Sequence, residues 1–88
     1  MRLDKFLKVS RIIKRRTLAN EISDQGRVFI NNRPVKPSAI VKEGDKLTIE
    51  FYNKSLIIEI SKVPTGNVSI QESKDLYIVI EDVRHTKE

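Results

Sequence analysis

The chain has 88 residues, no cysteine, a single histidine and a formal net charge of +5. This length suits one small domain, and the lack of cysteine excludes disulfides and thiolate chemistry and leaves too few ligands for a structural zinc site. No apolar run approaches the roughly 20 residues that span a membrane. No apolar stretch follows the charged N-terminal residues as in a secretory signal, so we expect a cytoplasmic protein.

Positive charge is concentrated in the first part of the chain. Residues 1–36 contain ten basic and three acidic residues, a net charge of +7, whereas residues 37–88 contain seven basic and nine acidic residues, a net charge of −2. Many small soluble domains are mildly basic without binding a polyanion. However, seven of the bases fall within the first sixteen residues, and this local density favours a polyanionic partner such as nucleic acid.

The first segment has the pattern of an amphipathic helix. At about 100° per residue, the apolar side chains share one arc and the charged ones the opposite arc. The apolar arc contains Leu3, Phe6, Leu7, Val9 and Ile13, and the charged arc contains Asp4, Lys5, Lys8 and Arg11. Ile12 falls outside the apolar arc, so we expect the regular helix to end or tighten near residues 9–12.

A second helix is predicted after a basic loop at residues 14–16. Thr17 suits the N-cap position, because its hydroxyl can accept a hydrogen bond from a free N–H of the first turn. Leu18, Ala19 and Ile22 provide an apolar face at helical spacing. Gly26 is expected just past the C-terminus of this helix, where a positive φ is needed.

Beyond the second helix the apolar period changes to two, which predicts strands. In chain order we expect a strand near residues 28–30, a turn at 31–33, an edge strand at 34–36, a turn at 43–45, a strand at 46–52, a turn at 53–54, a strand at 56–63 and a loop at 64–67. Residues 76–80 fit a last strand, although a short apolar run also fits a helix. The prediction is an α+β fold: two N-terminal helices packed on a small antiparallel sheet, with residues 53–88 forming a β-rich extension that completes the domain formed by residues 1–52.

The basic residues of the first two segments are the strongest candidates for a binding surface. On a helix, a spacing of three residues spreads side chains across one exposed face, as for Arg2, Lys5, Lys8 and Arg11. The loop bases Lys14, Arg15 and Arg16 directly precede the second helix, whose N-terminal N–H groups also attract phosphate. The alternative is an ordinary solvated helix face.

Other charged residues have two interpretations each. Arg27, Arg33 and Lys36 extend the basic surface if the first hairpin packs beside the two helices, and are otherwise ordinary surface. Asp4 has a structural role if it pairs with Lys8 or lies near the positive end of the first helix. Alternatively, it orients a neighbouring arginine or contacts a protein partner.

Catalytic patterns are missing from the sequence. There is no glycine-rich phosphate loop, no histidine–carboxylate arrangement and no pair of carboxylates in an apolar setting, and we interpret His85 as a tail residue. Only five aromatic residues are present, whereas proteins that read single-stranded RNA expose several. We therefore expect no enzyme, no cofactor and no metal, but a protein that contacts the phosphates and sugars of structured RNA.

Five short motifs in order resemble the RNA-binding domain of the ribosomal-protein-S-four type, also called the alpha-L motif. They are Arg2-Leu3-Asp4-Lys5-Phe6-Leu7, Arg16-Thr17-x-Ala19, Gly26-Arg27-Val28-x-Ile30-Asn31, Val35-Lys36-Pro37-Ser38 and Gly44-Asp45. The resemblance covers roughly residues 1–52. Asn32 departs from it, because the family usually has glycine at that position, so the hairpin tip is expected to differ.

In length and in the run from Lys5 to Arg11, the chain is most similar to short stand-alone bacterial members that act in ribosome-associated quality control (the RqcP type). This resemblance implies binding to large-subunit rRNA and to peptidyl-tRNA, beside a NEMF-class factor that directs alanine tailing of the stalled chain. It implies a monomer on the ribosome whose RNA-facing residues include Arg2, Lys8, Arg11, Arg15 and Arg16. The alternatives are a heat-shock-type or assembly-related ribosome-binding protein, a subunit of an rRNA-modifying enzyme, and a basic protein-interaction adaptor.

Overall fold

A computed structural model describes residues 1–51, 54–66 and 68–84, and for Arg16 it describes the backbone alone. The elements in chain order are α1 (Leu3–Val9), α2 (Arg16–Asp24), β1 (Val28–Ile30), β2 (Arg33–Pro34), β3 (Lys46–Glu50), β4 (Lys54–Ile60), α3 (Ile70–Ser73), a 3₁₀ turn (Lys74–Leu76) and β5 (Tyr77–Arg84). The predicted α+β fold is confirmed. The expectations for Tyr52, Asn53, Asn67 and His85 concern residues outside the described part of the chain.

The five strands form one antiparallel sheet in the order β2-β1-β3-β4-β5. Leu47 pairs with Ile58, and Ile49 pairs with Leu56, so alternate residues of β3 and β4 point to the same face. That face is buried and joins Leu3, Phe6 and Leu7 in a single hydrophobic core. The apolar alternation in the sequence therefore identifies the face of the sheet that the helices cover.

Helix α1 ends where the broken apolar pattern indicates. Its last residue is Val9, and Ser10 occupies the C-cap. Arg11 then adopts a left-handed conformation with φ of 62°, and its N–H donates to the Lys8 carbonyl. Ile13 is buried as predicted, but it reaches the core from this turn and not from the helix.

Helix α2 begins earlier than predicted. Arg15, in an extended conformation, occupies the N-cap position, so Thr17 lies inside the first turn and the prediction of Thr17 as N-cap is wrong. Leu18 is a second correction: its side chain is 41% exposed, whereas Ala19 and Ile22 are buried. Leu18 lies about 100° around the helix from Ala19, at the margin of the apolar face.

The end of α2 follows the prediction closely. Gly26 has φ of 74°, its N–H donates to the Ser23 carbonyl, and the N–H of Arg27 donates to the Ile22 carbonyl. This is the Schellman arrangement that a glycine past the last turn favours. The chain is thereby turned directly into β1.

The β1–β2 hairpin turns on two asparagines. Asn31 has φ of 50° and Asn32 has φ of 71°, as a type I′ turn requires. Strand β2 lies at the sheet edge, as Pro34 predicts, but it comprises Arg33–Pro34 and not residues 34–36. Beyond Pro34, the N–H of Val35 still donates to the Val28 carbonyl, but the strand itself has ended.

The C-terminal part contains one strand that the sequence left ambiguous and one helix that was not predicted. Residues 77–84 form β5, which pairs with β4. Helix α3 begins after Ser69, whose Oγ accepts the N–H of Glu72 at 3.1 Å and donates to the Glu72 carboxylate at 3.0 Å. Ser69 thus caps the helix by accepting an N–H of the first turn, and its Ser-x-x-Glu spacing is a signal that the sequence analysis missed. Strands β3 and β4 also end earlier than predicted, at Glu50 and Ile60.

Candidate nucleic-acid interface

A basic groove runs along the exposed side of α1 and the turn that follows it. Lys5, Lys8, Arg11 and Lys14 line it together with Val9, Gly66 and Val68. All four bases are exposed, and no acidic residue is among these lining residues. The fold thus brings four of the ten predicted bases around one concavity. We call these four residues the groove bases.

The turn after α1 determines the orientation of one of the groove bases, Arg11. A positive φ is uncommon for a residue with a side chain and costs on the order of 1–2 kcal/mol, yet Arg11 has it. The turn also brings Ile13 back into the core, where its N–H donates to the Leu7 carbonyl at 3.1 Å. The strained backbone at Arg11 is therefore tied to the burial of Ile13, and it leaves the Arg11 side chain in solvent.

Asp4 lies in a different environment from the one expected of it. The prediction that it lies on the charged, exposed arc is wrong, because its side chain is 1% exposed. Lys8 is not among its described partners: its Oδ1 accepts the N–H of Lys5 at 2.8 Å, and its Oδ2 accepts Arg2 Nη2 at 3.3 Å and Asn20 Nδ2 at 3.2 Å. Asp4 sits in the first turn of α1, facing α2 and not solvent, so it joins the two helices and contacts the Arg2 guanidinium.

Arg2 is held from the backbone side as well. The Leu3 N–H donates to the Ala39 carbonyl at 2.7 Å, and the Asp4 N–H donates to the Pro37 carbonyl at 3.2 Å. Arg2 also forms a backbone bridge with Ile40. Its side chain remains 50% exposed, so the guanidinium is positioned by the fold but accessible to a ligand.

The start of α2 has no side-chain cap among the described residues. Arg15 makes no capping hydrogen bond with its side chain, while its carbonyl accepts the Ala19 N–H. The N–H groups of the first turn are thus without a described side-chain partner, beside the exposed bases Lys14 and Arg15. This end of the helix can accept an anion. For Arg16, the structure gives its place as the first residue of α2.

The hairpin bases are not brought together with the groove bases by any described contact. Arg27 is half-buried, and its Nη2 donates to the Phe51 carbonyl at 3.1 Å, so part of its guanidinium holds β1 to the end of β3. Arg33 is exposed on the edge strand β2, and Lys36 is exposed just before Pro37. Lys36 therefore lies along the chain next to the Asp4 contact, and Arg33 lies further out.

Sequence reasoning missed several residues of this surface. Asn20 gave no signal, because an asparagine within a helix is usually a solvated side chain. Gly66 falls in the predicted loop at residues 64–67 and Val68 in no predicted element, and only the folded chain places them beside α1. Among the described residues, no cluster of histidine, cysteine, aspartate or glutamate is suited to a metal ion, and no described helix is long and apolar enough to cross a membrane.

Comparison with known proteins identifies relatives along nearly the whole chain. The S4 domain family matches residues 1–47. The RQC P-site tRNA stabilizing factor of Bacillus subtilis is 45% identical over 82 residues, which cover 93% of this chain and 94% of that protein. The factor of the same name from Halalkalibacterium halodurans is 52% identical over 79 residues, which cover 90% of this chain and 89% of that protein.

A solved structure supports the same placement. The trimeric structure of Vibrio cholerae heat shock protein 15 matches with a TM-score of 0.79 and 31% identity, covering 90% of this chain and 80% of that one. The family resemblance predicted from the motifs is thereby confirmed. The chain belongs to the S4-domain family of RQC P-site tRNA stabilizing factors.

Proposed function

We propose that this protein is a non-catalytic RNA-binding factor of ribosome-associated quality control that binds large-subunit rRNA and stabilises peptidyl-tRNA in the P site. The observation that carries the proposal is the cluster of groove bases, together with an exposed Arg2 guanidinium that Asp4 holds in place. The name of the relatives, which states that they stabilise the P-site tRNA, supports the choice of RNA.

The surface suits phosphate contacts better than base reading. Lysine and arginine side chains spread over a helix and a turn can reach phosphates on both sides of a groove in folded RNA, and each contact releases counterions. Arg2, Lys5, Lys8, Arg11, Lys14, Arg15 and Arg16 form the centre of the proposed interface, with Arg27, Arg33 and Lys36 toward its edge. Such contacts recognise shape and position, as a factor that holds a tRNA requires.

The biological context extends this proposal. A cytoplasmic, ribosome-associated factor of this kind would act as a monomer beside a NEMF-class partner while alanine residues are added to the stalled nascent chain. The protein supplies no reacting group to that process in this proposal. Its contribution is to hold RNA in place, so its loss should lower the yield of alanine tails without altering their chemistry.

The decisive experiment is co-sedimentation with purified large subunits. Charge reversal of Arg2 or Arg16 to glutamate should abolish binding while the circular dichroism spectrum stays that of the folded protein. Lys74→Glu, an exposed base on the 3₁₀ turn, is the matched control and should sediment like the wild type. Wild-type sedimentation of Arg2→Glu and Arg16→Glu would place the RNA surface elsewhere, and a cross-linking map on ribosomal RNA would then locate it.

A heat-shock-type ribosome-binding protein is the second candidate, favoured by the likeness to heat shock protein 15. That structure is described as trimeric, so mass measurement in solution separates the two candidates, because our proposal expects a monomer. A protein adaptor is the third candidate. Nuclease treatment should release the main partner from an RNA-binding factor, whereas an adaptor complex would survive it.

A further inference from the structure

An apolar pocket lies within the basic surface, at the start of α2. Ile12, Ile13, Lys14, Arg15, Leu18 and Phe51 line it. Ile13 is buried, Ile12 and Phe51 are half-buried, and Leu18 is exposed. The pocket is separate from the groove along α1, and of the described lining residues Lys14 alone belongs to both.

The core does not account for the exposure of Leu18. Among the described side chains of α2, the buried ones are Ala19, Ile22 and Ser23, and they anchor the helix without Leu18. An exposed leucine alone is ordinary. Here, however, it joins three other apolar side chains in a concavity and stands next to two exposed cations.

The rim of the pocket is cationic. Lys14 and Arg15 belong to the lining residues, and Lys54 lies nearby, with its Nζ 5.3 Å from the centre of the Phe51 ring. None of the described lining residues is acidic. A purely apolar protein segment bound here would leave these cations without a counter-charge.

We infer that this pocket binds one unstacked nucleotide of RNA, with its base on Ile12, Leu18 and Phe51 and its phosphate against Lys14 and Arg15. This inference rests on the proposed RNA-binding function and deepens it. A nucleotide combines a flat apolar base with an anionic phosphate, which is the combination that an apolar floor and a basic rim can satisfy together. Base contacts of this kind tolerate any sequence, because every base has an apolar face.

The pocket would give the protein a preference for RNA with an extruded base. Phosphate contacts along the groove hold any suitably shaped RNA, but they do not distinguish a continuous stack from one with a base turned outward. A bulge or loop nucleotide is already unstacked, so it can enter the pocket at little cost. Paired helical RNA would bind through the groove alone.

The test compares two RNA hairpins that differ at a single position. One carries a bulged adenosine, and the other carries an abasic residue at the same bulge. We expect the wild-type protein to bind the adenosine hairpin about tenfold more tightly, in line with the affinity of one stacked base. Leu18→Ala should remove most of this preference while affinity for the abasic hairpin stays unchanged.

Two further variants complete the design. Ile70→Ala removes another exposed apolar side chain, 60% exposed on α3, and should behave as the wild type on both hairpins. Arg15→Ala should weaken the binding of both hairpins. It should also lower the slope of log affinity against log salt by about 0.7 to 0.9, the value for one neutralised phosphate. Leu18→Ala should leave that slope unchanged, because it removes no charge.

Three results would overturn the inference or its foundation, and they can be told apart. Equal wild-type affinity for the two hairpins would show that no base enters the pocket, and the proposed RNA binding would still stand. Equal losses on both hairpins for Leu18→Ala would show that Leu18 acts through the structure of α2 and not by contacting a base. Failure of the wild type to bind either hairpin at low salt would contradict the proposed function itself.

Discussion

The Asn20 side chain on α2 donates a hydrogen bond from Nδ2 to Oδ2 of Asp4 on α1, at 3.2 Å. The same carboxylate oxygen accepts the Arg2 guanidinium at 3.3 Å. A buried residue of one helix thereby links the position of the second helix to a cation at the chain's N-terminus. The geometry of the basic surface thus depends on how the two helices pack, and not only on the density of bases in the sequence.

The Asn20–Asp4 contact gives the first prediction. Asn20→Ala leaves a buried carboxylate with one partner fewer, which we expect to lower the free energy of unfolding by about 1–2 kcal/mol. Glu21→Ala, an exposed acidic residue on the same helix, should change it by less than about 0.5 kcal/mol. Urea denaturation measures both. Equal losses from the two variants would mean that the hydrogen bond to Asp4 contributes nothing beyond the local helix.

The features of this fold that arise from local interactions could be predicted from the sequence, whereas those that depend on residues distant in the chain could not. The apolar period placed α1 and the strands, and Gly26 marked the end of α2, because local sterics and one-sided burial determine those features. Asp4 was misplaced, because its buried carboxylate faces α2, where its partner Asn20 lies sixteen residues later in the chain. The exposure of Leu18 and the approach of Gly66 and Val68 to α1 also arise only from tertiary packing. The identities of the bases were readable, but their grouping was not.

The second prediction concerns the hairpin tip, where replacement by glycine should change the stability in opposite directions at two adjacent positions. Asn32→Gly relieves a side chain held at φ of 71°, and we expect a gain in stability of up to about 1 kcal/mol. Asn31→Gly also removes the Oδ1 that accepts the Lys46 N–H at 3.1 Å and the Nδ2 that donates to Asp45, and should be destabilising by about 0.5–1.5 kcal/mol. Thermal unfolding of the two variants provides the comparison. Shifts of the same sign would show that the Asn31 side-chain bonds contribute little in solution.

The third prediction concerns Arg11, where one substitution should lower the RNA affinity without lowering the stability. Arg11→Gly removes the cost of a left-handed non-glycine residue, on the order of 1–2 kcal/mol, and adds about 0.5–1 kcal/mol of chain entropy that folding must overcome. The free energy of unfolding should therefore stay constant or rise slightly. RNA affinity should fall, since the variant has one groove base fewer. Arg11→Lys, which keeps the charge and the strain, should retain most of the affinity. If Arg11→Gly binds RNA as tightly as the wild type, Arg11 does not belong to the interface.

The relative importance of the groove and the hairpin gives the last prediction. Lys5→Gln/Lys8→Gln removes two groove bases, and we expect the slope of log affinity against log salt to fall by about 0.7 to 0.9 for each phosphate that the variant no longer neutralises. Arg33→Gln/Lys36→Gln removes the same charge from the hairpin and its following segment, where no described interaction leads to the groove, so its slope should change less. Titrations of structured ribosomal RNA at several potassium chloride concentrations measure both slopes. A hairpin variant that lowers the slope as much as the groove variant would extend the binding surface across the β1–β2 hairpin and would refute the assignment of the groove as its centre.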